Sequence, residues 1–225
     1  MVKRIIVIVG LLSITLLSGC AKEGPGPFAP KAFVVQSPLA RQAALDKIKY
    51  WRISGAFSIQ QEGHNPEMAS FTWWQSDRTY RISILSVLDL YRVDIYRMNG
   101  IVKLWKNGTL SLTAPSPEEL LEEAMGWSLP ISDLRYWIIG MPAPQKHGKF
   151  LVKYDEYGHL SDLKQDGWTL HFGSYKRQID APDFPKRITL SHPGIDQVRP
   201  AITVKIVVKE WQLMMEHYYA PDTTV

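Results

Sequence analysis

The sequence predicts an α+β domain, with antiparallel strands broken by helical insertions into a sheet or a partly closed barrel. Three observations predict it. Apolar residues recur at every second position in successive runs, as Tyr80, Ile82 and Ile84 do, and Tyr91, Val93 and Ile95 after them. Two segments opened by Ser-Pro switch to helical spacing. The chain also carries 8 Trp and 10 Tyr. Many of these alternate with polar residues, as Trp168, Leu170 and Phe172 do, so the sheet has one apolar face that needs cover.

Taken in order, the chain begins with Lys3 and Arg4, then an almost wholly apolar run from Ile5 to Leu17. As a helix that run spans roughly 20 Å, short of the ~30 Å hydrocarbon core. A basic start, a short apolar stretch and small residues at the exit make a secretory signal rather than a span. A buried N-terminal helix is the alternative, but no polar face exists to meet water. Leu17-Ser18-Gly19-Cys20 resembles the bacterial lipobox. That resemblance implies cleavage before Cys20, a diacylglycerol on its sulfur and an acyl chain such as palmitate on its new amino group. Cys20 is the only cysteine, so it is an attachment point and no disulfide forms. One acyl chain holds a protein marginally and two or more hold it stably, at ~0.8 kcal/mol per buried CH₂. Ala21 implies the outer membrane, since Asp there would retain the protein at the inner one. The Pro- and Gly-rich stretch from Lys22 to Val34 reads as a tether. The expected organisation is signal 1–19, acylated Cys20 and tether 20–35, folded domain 36–212 and tail 213–225.

The body follows. Ser37 to Trp51 reads as a helix with Ser37 as N-cap and Pro38 at N1. Strands are expected over 53–60 and 68–75 around the turn-like EGHNP, then over the two alternating runs above, then from Ile101 to Trp105. Ser116 to Gly126 is a helix with the capping-box spacing of Ser116 and Glu119, and Pro130 to Met141 is a second. Strands return at 149–156, 159–165, 167–175, 186–192 and 201–211. Val198 to Lys209 is long and apolar, and Lys205 and Lys209 could mark an edge strand.

Charge and motifs exclude several functions. Loss of Lys3 and Arg4 leaves 24 basic residues against 22 acidic ones, a net +2, too balanced for nucleic acid. Six histidines are scattered, with no HExxH. His159 and His171 could face each other across a hairpin, and without a carboxylate partner such residues belong to the surface. No GxSxG or GxxxxGK[ST] occurs. Asp155 and Glu156 would point to opposite faces of a strand and cannot pair as acid and base. Glu118, Glu119, Glu122 and Glu123 read as the solvated face of a helix. Nothing here favours an enzyme, a metal or another cofactor.

Two features stay open on pattern alone. A tight helical cover over the apolar sheet face gives an ordinary core; a loose one gives a greasy cavity. Ile84 to Tyr91 (ILSVLDLY) lies where a hairpin should turn, yet has no Gly, Pro or Asn. Either the turn displays Val87, Leu88 and Leu90 to a partner or membrane, or the strand continues and bends.

Several stretches carry a family resemblance. They are Trp51-Arg52-Ile53-Ser54-Gly55-Ala56-Phe57, Ala69-Ser70-Phe71-Thr72-Trp73-Trp74-Gln75 and Tyr80-Arg81. Leu129-Pro130-Ile131 with Leu134-Arg135-Tyr136-Trp137-Ile138-Ile139-Gly140-Met141-Pro142 is the most specific, and Trp168-Thr169-Leu170-His171-Phe172 follows. Their order, with the lipobox, resembles the LolB family of outer-membrane lipoprotein receptors. The resemblance implies a strongly curved antiparallel sheet, an unclosed β-barrel, with helices as a lid over a hydrophobic cavity. Trp73, Ile82, Ile84, Trp137, Leu170 and Phe172 would line it. It implies a projecting loop whose membrane-inserting leucine falls on Leu88, with Val87 and Leu90 beside it. The family's Pro-Leu-Gly is Val87-Leu88-Asp89 here, and a carboxylate at the tip opposes deep insertion. Expected partners are a LolA carrier, the acyl chains of cargo lipoproteins and, through the anchor, the outer membrane. The protein itself would be a monomer with no cofactor. A lipid-anchored binding or structural protein with a filled core is the competing reading.

Overall fold

The strands are Trp51–Gln61 (β1), Glu67–Gln75 (β2), Tyr80–Ser86 (β3), Arg92–Met98 (β4), Ile101–Lys106 (β5) and Thr109–Ala114 (β6). After two helices come Leu151–Tyr154 (β7), Leu160–Gln165 (β8), Trp168–Lys176 (β9), Phe184–His192 (β10) and Ile202–Leu213 (β11). This is a computed structural model, and it describes residues 32–87, 91–144, 150–195 and 200–214. The chain divides into Met1–Ala32 and Phe33–Val225, and the fold is that of the second unit.

The eleven described strands form one sheet in the order β6-β5-β4-β3-β2-β1-β11-β10-β9-β8-β7, antiparallel throughout and, among the described residues, with its two ends unpaired. The barrel is therefore open between β6 and β7. Three Asx-Gly pairs make the tightest hairpins: Asn99-Gly100, Asn107-Gly108 and Asp166-Gly167 all have positive φ at both residues. That is the type I′ geometry whose twist matches the strands, and Asn, Asp and Gly tolerate it best. Between Ser54 and Gly55 the register of β1 on β11 shifts. A Cβ on Gly55 would lie 2.1 Å from the Val207 carbonyl oxygen and 3.0 Å from the Phe71 ring, so only glycine fits this bulge.

Helices Pro38–Leu45 (α1), Pro117–Met125 (α2) and Ile131–Trp137 (α3) complete the α+β fold. Ser37 Oγ accepts from Ala40 N at 3.2 Å and Ser116 Oγ from Glu119 N at 3.2 Å, the caps that the Ser-Pro starts call for. The strands bury one face: Ile53, Trp73, Ile82, Ile95, Leu104, Leu170 and Ile206 all sit in the core.

Several expectations are corrected. α1 stops at Leu45 and does not reach Trp51, because Trp51 pairs with both Gln75 and Leu213 in the sheet. Tertiary pairing overrides a helical pattern there. The last helix ends at Trp137 rather than Met141, where Gly140 turns the chain with φ +85. β6 is a strand the periodicity reading omits. β11 is central, flanked by β1 and β10, so its lysines mark no edge. His171 lies opposite Asp162 and not His159, which is buried between two carboxylates. Glu118 does not simply face solvent, since its Oε1 accepts from Ser132 N at 2.7 Å and ties α2 to α3.

Candidate functional site

α2 and α3 lie over the inner face of the sheet. Between them and the strands is a cavity of about 60 Å³. Its floor is Phe57 of β1, Phe71 and Trp73 of β2, Ile82 and Ile84 of β3, Ile95 of β4, and Val204 and Ile206 of β11. Leu121, Trp127, Leu129, Ile131, Leu134 and Ile138 form its roof. Every lining residue is apolar. On the floor, Trp73 Nε1 donates to Gln75 Oε1 at 3.1 Å.

Local sequence explains the arrangement. Residues 71, 73, 82, 84 and 95 share one face because side chains alternate along a strand, and the register sets Trp73 opposite Ile82 and Ile82 opposite Ile95. Leu120 and Leu121 give α2 its buried side, and Gly126, at φ +69, turns the chain so that Trp127 enters the core. Trp127 meets Phe57 edge-on at 5.9 Å between ring centroids.

Described side chains of three strands bond to the cover, Gln165 of β8 accepting from Trp137 Nε1 at 3.0 Å among them. Gln61 Nε2 donates to the Gly126 carbonyl at 3.0 Å and Lys106 Nζ to the Ala124 carbonyl at 3.3 Å, both in exposed positions. Each such bond is worth about 1 kcal/mol net.

Of the six expected cavity residues, Trp73, Ile82 and Ile84 stand on the wall. Trp137, Leu170 and Phe172 are buried but are not among the lining residues. Trp137 donates its indole N–H to Gln165 Oε1 at 3.0 Å, and Phe172 stacks towards Tyr175. The roof residues were missed individually; their signal was the apolar side of the two central helices.

β3 and β4 are closed as a hairpin above Ser86 and Tyr91. Ser86 N donates to the Tyr91 carbonyl at 3.1 Å, and Tyr91 N donates to Ser86 Oγ at 2.9 Å. β3 ends at Ser86, and β4, paired antiparallel with it, begins at Arg92. Val87 at the start of the turn is exposed. Leu88 and Leu90 lie outside the described residues, as does Cys20.

Among the described residues no three His, Cys, Asp or Glu side chains are placed to hold a metal. No described helix is long and apolar enough to cross a membrane.

An unclosed antiparallel sheet with helices over an apolar interior defines a class of half-barrel folds. A LolA superfamily protein from Nitrosomonas europaea has this fold, with a TM-score of 0.50 at 8% identity over 84% of this chain and 96% of that one. The sequence places the chain more narrowly. Residues 49–211 match the family model described as outer membrane lipoprotein LolB, and the chain belongs to that family. It is 39% identical over 201 residues to the outer-membrane lipoprotein LolB of Coxiella burnetii, covering 89% of this chain and 90% of that protein. It is 34% identical over 206 residues to the LolB of Nitrosococcus oceani, covering 90% and 95%.

Proposed function

We propose that this outer-membrane lipoprotein takes acyl chains of lipoproteins from a LolA carrier into the space between α2, α3 and the sheet, and passes them to the outer membrane. The observation that carries the reading is the cavity: fourteen lining residues, all apolar, between two helices and the sheet. The filled-core alternative accounts for the burial of these residues but not for a void at the one place where two helices meet the sheet.

The size of the void adds a step. A volume of about 60 Å³ has room for a few waters, at ~10–15 Å³ of such space each. No acyl chain fits until the roof moves, so cargo entry is coupled to displacement of α2 and α3. The free state keeps apolar walls against each other instead of against water. Loading then exchanges one apolar contact for another, at low net cost in either direction.

That balance suits transfer. Each CH₂ left in water costs ~0.8 kcal/mol, so acyl chains cross the periplasm only when covered. A preference of about 1.4 kcal/mol at each handover gives a tenfold bias. Hydrogen-bonded anchors in the wall would hold cargo too firmly and would be left unsatisfied on release. The handover makes and breaks no covalent bond, so the protein needs no catalytic group or cofactor, and it works as a monomer. Cys20 anchors it, and the Val87, Leu88 and Leu90 turn touches the bilayer during delivery, with Leu88 the inserting side chain. The exposed Val87 and the hairpin stem at Ser86 support the placement of that turn.

The test is transfer. A carrier loaded with labelled lipoprotein is mixed with the Cys20→Ala protein, and vesicles are then added. Wild type takes cargo and delivers it, while Leu88→Glu takes cargo and keeps it. Cargo that never leaves the carrier sinks the reading.

A further inference from the structure

The outer face of the sheet, away from the cavity, carries a row of alternating guanidinium groups and rings. The register puts Arg52 opposite Trp74, Trp74 opposite Arg81, and Arg81 opposite Tyr96. The Arg52 guanidinium lies 4.9 Å from the Trp74 ring centre; that of Arg81 lies 5.6 Å from Trp74 and 4.8 Å from Tyr96. Tyr96 meets Trp105 edge-on at 4.9 Å. Cation–π contacts occur about once per 70–80 residues, so three in one row across β1 to β4 is a concentration.

The row opens on its β4–β5 side into a groove of about 730 Å³. Arg81, Arg92 and Lys103 line it against one carboxylate, Asp94. Asp94 is already spoken for by Ser83, Arg81 and Arg92. Lys103 is exposed and makes no ion pair among the described residues. Exposed Met98, Ile101 and Leu110 surround these cations, and Leu110 sits opposite Trp105.

We infer that this face binds the surface of an anionic phospholipid bilayer. Basic side chains interleaved with half-buried aromatics and exposed aliphatics fit the headgroup boundary, where rings and short apolar groups enter and cations meet phosphate. A guanidinium group suits forked contact to phosphate oxygens. A purely acidic protein partner would complement the cations but leave Met98, Ile101 and Leu110 without a counterpart. The groove also adjoins the β3–β4 hairpin: Arg92 N donates to Asn107 Oδ1 at 2.9 Å, beside the stem that carries Val87. Bilayer contact here and at the turn would be continuous, a point that rests on the proposed function; the charge argument does not. From Cys20 to Phe33 the chain reaches at most about 45 Å, so an anchored domain meets lipid at high effective concentration and weak binding suffices.

The experiment uses the mature chain with Cys20→Ala and vesicles of phosphatidylcholine, alone or in equal parts with phosphatidylglycerol. No carrier or cargo is present, so failure of transfer and failure of this inference are separate results. Wild type co-sediments with the anionic vesicles and far less with the neutral ones. Each basic residue at such a surface is worth roughly fivefold, so Arg92→Gln with Lys103→Gln lowers partitioning roughly tenfold or more. Lys164→Gln, exposed on β8 at the other side of the sheet, leaves it unchanged. Ile101→Ser with Leu110→Ser lowers it by a smaller factor, and melting curves establish that each variant is folded. Equal partitioning of wild type to both vesicles overturns the inference and leaves an acidic protein segment as the partner. A Lys164→Gln loss as large as that of the double variant overturns it too, by making the effect one of net charge.

Discussion

The half of the sheet under α2 and α3 and the half that meets α1 differ in what their inner faces are made of. Around the cavity every lining side chain is apolar, with the Trp73–Gln75 bond beside it, and an ion-pair network lies outside the sheet at Asp94. At the other half charged groups are bonded inside. His159 is 1% exposed, with Nδ1 2.9 Å from Asp155 Oδ2 and Nε2 3.1 Å from Asp183 Oδ2. Its ring stacks on Tyr175 at 4.2 Å, and Phe33 meets it edge-on at 4.9 Å. Buried Arg41 of α1 donates to the Asp183 carbonyl and lies 5.2 Å from the Tyr175 ring centre. Burial lowers the Arg41 pKa and pushes that of the Tyr175 hydroxyl well above its usual range, so this hydroxyl stays neutral and donates to the Leu160 carbonyl at 2.8 Å. Directional bonds specify one geometry, whereas apolar contacts tolerate rearrangement. The difference separates a frame of directional bonds from a compartment of apolar contacts.

The comparison breaks most easily at Trp137, the pivot between the two halves. It is fully buried, and its indole shares Gln165 Oε1 with Ala143 N at 3.0 Å. Trp137→Ala should cost about 3–5 kcal/mol and strand part of the Gln165 amide. Denaturant unfolding measures it; a loss under 1 kcal/mol would mean that the frame does not depend on this joint. Next is His159→Leu, which leaves two carboxylates facing an apolar group and should cost about 3 kcal/mol. Acyl-probe binding should survive in the folded fraction, because the cluster is not part of the cavity. Loss of probe binding at unchanged stability would deny the division into halves.

How far the sequence foretells these halves differs as well. Alternation of Tyr80, Ile82 and Ile84 is enough to place them on one face, and the Ser-Pro starts are enough to cap α1 and α2. Three of the eight floor residues, Trp73, Ile82 and Ile84, are among those expected at the cavity, and period two places them on one face. Trp137, Leu170 and Phe172 share the same burial signal, yet sit away from the void, because periodicity marks a buried face and not which part of it is loosely covered. The frame was not legible at all. His159, Asp155, Asp183 and Arg41 come from a β-turn, a loop and a helix, and nothing in their spacing brings them together. β6 escaped notice although Asn107-Gly108 signals the turn before it, since its strand TLSLTA has a weak apolar alternation. Local spacing puts Trp51 in a helix because it carries no knowledge of its partners across the sheet, Gln75 and Leu213.

The cavity half responds differently to truncation. Leu134→Ala on the roof should cost about 2 kcal/mol, the low end for such a change, because the site already has a void into which neighbours relax. Its sharper sign is a gain: removing roof volume should raise affinity for a fluorescent fatty acid even as stability falls. The same change in the frame half, Leu163→Ala on β8, should cost at least as much stability with no gain in probe binding. If both variants bind probe alike, the void is not where acyl chains go.

The smallest expected effect tests the outer network of the cavity half. Asp94 is held by bonds from Ser83 and Arg92, with Arg92 Nε at 2.8 Å, and by the charge of Arg81. Burial works against its charge, but these contacts outweigh it and keep the carboxyl below the usual aspartate range. A carboxyl with a lowered folded pKa adds stability above the unfolded value, about 3.9, and that stability is lost as pH falls through the lower folded value. Asp94→Asn should therefore cost about 1 kcal/mol at neutral pH. The gap between wild type and variant should narrow only below about pH 4. A gap that closes near neutrality would assign it to a histidine instead and place the titrating group in the frame half. A constant gap down to pH 2 would mean that Asp94 contributes packing alone, and that the cavity half is as apolar in its energetics outside the sheet as it is within.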